Sequence, residues 1–99
     1  MRMMLKITIP VETGNRTIKD GALPRVLQET IGKLKPEASY FVTDNGIRSA
    51  MIFFDMAESS LIPEIAEPLF MQLDARVEFL PAMNAADLQK GLGAAKQAK

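Results

Sequence analysis

Seven residues of this 99-residue chain have the types and positions to hold a small molecule: Lys6, Thr8, Tyr40, Met51, Phe53, Asp55 and Glu78. Each falls on the same side of an alternating, strand-like pattern. Lys6, Tyr40, Asp55 and Glu78 are the candidates for acid–base work on an activated aromatic or enolisable substrate. Thr8, Met51 and Phe53 supply the walls of a site. The same charges also have an ordinary structural reading, as solvated rim groups or as an ion pair. A lysine buried without a carboxylate would lose its proton, so burial of Lys6 implies a pair. Their spacing does not demand catalysis, and no catalytic residue is assigned.

The composition excludes much other chemistry. Without Cys there is no disulfide, thiolate nucleophile or iron–sulfur ligand, and without His there is no Ser-His-Asp triad and no usual zinc or haem ligand. Seven Glu and five Asp are scattered without a D-x-D-x-D-G run, so no metal and no cofactor are expected. Twelve basic against twelve acidic residues give a net charge of zero, which argues against nucleic acid as a partner. No apolar run approaches the about 20 residues of a membrane span. Lys6 and Pro10 interrupt the N-terminal apolar stretch too early for a secretory leader. The expected location is the cytoplasm, with no membrane partner.

Alternation over Met3–Val11 predicts a strand, and the polar Glu12–Lys19 a connection with at most a turn of helix near Asn15. Asp20 or Gly21 opens a helix with Pro24 in its first turn. Leu23, Leu27, Ile31 and Leu34 form its stripe, and Pro36 stops it. Ala38–Asp44 and Ile47–Met56 are strands joined by Asn45-Gly46, the pair that accepts positive φ most cheaply in a two-residue turn. Ser59 or Ser60 caps a second helix carrying Leu61, Ile65, Leu69 and Leu73. Ala75–Pro81 is a fourth strand. Asn84 and Asp87 form a capping box for a short helix, Ala85–Lys90, which Gly91 and Gly93 end. Residues 1–92 are expected to form one domain and 93–99 a flexible tail.

The order β-α-β-β-α-β predicts an α+β fold, the ferredoxin-like sandwich, with a four-stranded antiparallel sheet and both helices on one face. The other face would carry Met4, Thr8, Tyr40, Val42, Met51, Phe53 and Leu80, with Lys6, Asp55 and Glu78 among them. Such a patch is unusual on a monomer. Two sheets are therefore expected to pack face to face as a homodimer.

Gly46–Asp55, Ile62-Pro63 with Glu67–Phe70, and Pro81–Leu88 resemble the dimeric α+β barrel superfamily, closest to its small bacterial members of unknown function. The resemblance implies a barrel of two ferredoxin-like subunits. Relatives in that superfamily include cofactor-free monooxygenases, haem-degrading enzymes and isomerases, but no catalytic set carries over residue by residue. The reading is a small dimeric barrel protein binding an apolar or aromatic ligand between its sheets. One alternative is a cofactor-free enzyme of monooxygenase or isomerase type. Another is an ACT-like amino-acid-sensing module, suggested by the small-residue turn Asp20–Leu27.

Overall fold

Alternating burial runs along the first strand, β1 (Arg2–Thr8), where Met3, Leu5 and Ile7 are buried and the residues between them are half-buried. The structure is a computed structural model describing residues 1–97. Its further elements are α1 (Val11–Lys19), α2 (Ala22–Leu34), β2 (Ala38–Asp44), β3 (Ile47–Asp55), α3 (Leu61–Leu73), β4 (Arg76–Pro81) and α4 (Ala85–Gln97). The strands form one antiparallel sheet in the order β2-β3-β1-β4. The fold is α+β.

The core lies between one sheet face and the helices. Met3, Leu5, Ile7, Ala50, Ile52 and Phe54 meet Val26, Ile65, Leu69 and Leu73 there, and Val77 and Phe79 pack at its margin. α1 and α2 lie against β3, and α3 lies against β4. The β2–β3 turn has positive φ at both Asn45 (54°) and Gly46 (76°). That fixes the expected register, with Tyr40 opposite Met51 and Val42 opposite Ser49.

Two expectations are corrected. Val11 does not extend the first strand. Pro10 sits at the N-cap with φ −53° and ψ 144°, and its carbonyl accepts from Gly14 N–H at 2.8 Å, which starts a helix. The inward side of α1 is Thr13, Gly14 and Thr17, too small and polar to show as an apolar stripe. The Thr17 hydroxyl donates to the Thr13 carbonyl at 2.7 Å, so its burial leaves no polar group unpaired. Gly14 also gives passage to Arg48, whose Nη1 would lie 2.6 Å from a Cβ there.

The last helix is likewise longer than Ala85–Lys90. It continues through Gly91 and Gly93 to Gln97. The expected capping box is present: Asp87 N–H donates to Asn84 Oδ1 at 2.8 Å, and Asn84 N–H to Asp87 Oδ2 at 3.1 Å. With α1 and α4 the element order becomes β-α-α-β-β-α-β-α. Residues 98 and 99, the end of the expected tail, lie outside the described residues.

Candidate functional site: the helix-free sheet face

Strand pairing sets the second sheet face out in rows. One row reads Glu78, Lys6, Met51 and Tyr40 across the four strands. A neighbouring row reads Leu80, Met4, Phe53 and Ala38, and the one on the other side Arg76, Thr8, Ser49 and Val42. No helix among the described residues covers these rows. Tyr40 and Leu80 are exposed, while Met4, Met51 and Phe53 are half-buried. The Tyr40 and Phe53 rings meet edge to face, with centroids 6.5 Å apart and planes at 75°.

Six of the seven candidate residues therefore come together: Lys6, Thr8, Tyr40, Met51, Phe53 and Glu78. Asp55 does not join them. It stands opposite Arg2 at the end of the sheet, about 14 Å along the strands from the Lys6 row. There it accepts from the Met1 amino group at 2.6 Å, which holds its pKa below the ordinary carboxylate value. Arg2 links Glu37 (2.6 Å) and Asp87 (2.8 Å) at the same end, and its hydrogen bond to Glu37 strengthens its hold on the proton. These groups line an open groove of about 440 Å³ together with Pro81 and Met83.

The carboxylate that Lys6 finds is Asp44. Glu78, its direct cross-strand neighbour, adds only a longer-range attraction. The Lys6 pKa is raised, chiefly by the hydrogen bond to Asp44, with partial burial acting against it. Lys6 is thus a fixed cation at neutral pH rather than a base. Its side chain reaches from β1 toward the end of β2 that holds Asp44, on the side of its row away from Met4, Phe53 and Leu80.

Asp44 was missed as a member of the site. The signal for it was present, because Tyr40, Val42 and Asp44 alternate onto one face. Among the described residues no group of three carboxylates could hold a metal ion. A smaller cavity of about 150 Å³ lies elsewhere, between α2 and α3, walled by Val26, Thr30 and Ile65. No family model matches the chain, and no curated protein and no solved structure matches it.

Proposed function

We propose that the chain works as a homodimer of ferredoxin-like subunits, a face-to-face α+β barrel, that binds a small aromatic or apolar acid between its sheets. The observation that carries this reading is the uncovered face, where Met4, Tyr40, Val42, Met51, Phe53 and Leu80 share one surface with the fixed cation Lys6. Burying four or five such side chains at about 25 cal/mol per Å² favours association by several kcal/mol before entropy costs. Lys6 would exchange Asp44 for the carboxylate of the ligand, and the Tyr40–Phe53 pair would flank its ring.

The catalytic alternative has less support. Asp55 is too far from Lys6 to share a proton with it, and an ionised Lys6 is a poor base. The amino-acid-sensing alternative needs its turn close behind the first strand. Here the whole of α1 stands between β1 and the turn at Gly21.

Thermal-shift titration with benzoate and its hydroxylated derivatives tests the ligand class. The expected outcome is stabilisation of the wild type and loss of that stabilisation in Lys6→Met. Equal stabilisation of both proteins would remove Lys6 from the reading, and stabilisation of neither would remove the acid ligand.

A further inference from the structure

Among the described residues α4 has no element packed firmly against it. None of its 13 residues is buried, although Leu88 and Leu92 stand one turn apart on the same side, 46% and 60% exposed. Ala85 and Ala95 extend that side at spacings of three. Two glycines weaken the helix, and isolated helices of this length are marginal in water. Its start is nonetheless fixed, by the reciprocal Asn84–Asp87 cap and by the Arg2–Asp87 ion pair. The chain as a whole is drawn out to 55 × 28 × 19 Å with a radius of gyration of 15.8 Å, against about 13 Å for a compact domain of this length.

A second unpartnered feature lies on the opposite sheet edge. Tyr40, Phe41 and Val42 of β2 are 60%, 58% and 41% exposed. Phe41 points to the helix side of the sheet, opposite Ala50, but α2 covers β3 and leaves this edge open. An edge strand with consecutive exposed apolar residues and no Lys or Pro is an open pairing and packing surface.

We propose that α4 is an arm that packs Leu88 and Leu92 onto the β2 edge of a second copy of this chain. The proposal rests on the dimer reading above. A two-fold axis running along the strands between the two sheets sets β4 of each copy over β2 of the other, because these are the outer strands. α4 follows β4 directly, so it emerges beside the partner's edge. The area agrees with a second copy as occupant. The chain exposes 6612 Å², about 1,000 Å² more than a compact monomer of its 10.9 kDa, and a standard interface removes about 800 Å² from each partner. The zero net charge puts no repulsion in the way of self-association.

The test combines sedimentation velocity with amide hydrogen exchange over residues 86–97, across a concentration series. Wild type, L88K/L92K, L88A/L92A and F53D are compared; the alanine variant keeps two good helix formers if the lysines perturb the helix. The expected results are α4 protection that rises with dimer population, a dissociation constant about tenfold or more weaker in both leucine variants, and no protection in F53D. A wild-type dimer with unprotected α4 and unchanged affinity in the leucine variants would overturn the arm and leave the dimer standing. Protection that persists in a monomeric F53D would also overturn it, by placing the arm on its own chain. A wild type that stays monomeric throughout would overturn both readings.

Discussion

Phe53 and Phe54 are adjacent in sequence and do opposite work. Phe54 is 2% exposed inside the core, whereas Phe53 lies on the uncovered face beside Tyr40. Phe54→Ala is expected to cost about 3–5 kcal/mol of folding stability by leaving a cavity. Phe53→Asp is expected to cost the fold about 1 kcal/mol while splitting the dimer. Chemical denaturation and sedimentation of the two variants check both parts; a Phe53→Asp protein that stays dimeric would show that this face is not the interface.

Asp55 gives a pH prediction with a definite sign. Its hydrogen bond from the Met1 amino group lowers its pKa below 3.8 in the folded state. A carboxylate lowered by folding contributes stability above the ordinary carboxylate range and loses it as pH falls through the folded value. Asp55→Asn should therefore melt earlier than wild type at pH 7, and the difference should close as the pH falls below the ordinary carboxylate range. A melting difference unchanged across that range would mean that the pair contributes nothing.

At the scale of elements, the β2–β3 hairpin sets the register of the sheet edge, and so the membership of the candidate site. Gly46 has φ 76°, and a Cβ there would meet nothing within 4 Å, so a substitution faces only backbone strain. Gly46→Val is expected to cost about 1–2 kcal/mol, read as a lower melting temperature by circular dichroism; an unchanged melting temperature would mean that the turn relaxes freely.

This hairpin was legible in the sequence because Asn-Gly between alternating strands has one cheap backbone solution. The face assignment of Lys6, Tyr40, Met51, Phe53 and Glu78 followed from period-two alternation and is the one the strand pairing gives. α1 was not legible, because its inward side is Thr13, Gly14 and Thr17, whose burial depends on hydrogen bonds and on Arg48 crossing Gly14. The length of α4 was hidden by Gly91 and Gly93, which disfavour a helix without forbidding one. The Lys6–Asp44 pair escaped because it runs diagonally across strands, where long side chains reach past their direct neighbours.

For the whole molecule, three features converge on one surface requirement. Among the described residues the sheet has one covered and one uncovered face, its β2 edge is apolar, and α4 buries none of its residues. A single chain of this size buries a small core, and extra apolar surface left in water works against it. In the proposed dimer a second copy would cover all three at once. The proposed ligand site would then lie inside the assembly, and its affinity is expected to fall with dilution below the dimer dissociation constant.

The most direct test is light scattering of the purified chain over a concentration series. The expected mass is twice the chain's 10.9 kDa, with Phe53→Asp returning to the mass of one chain. A wild-type mass of one chain at every concentration would contradict the face-to-face assembly and the enclosed site with it.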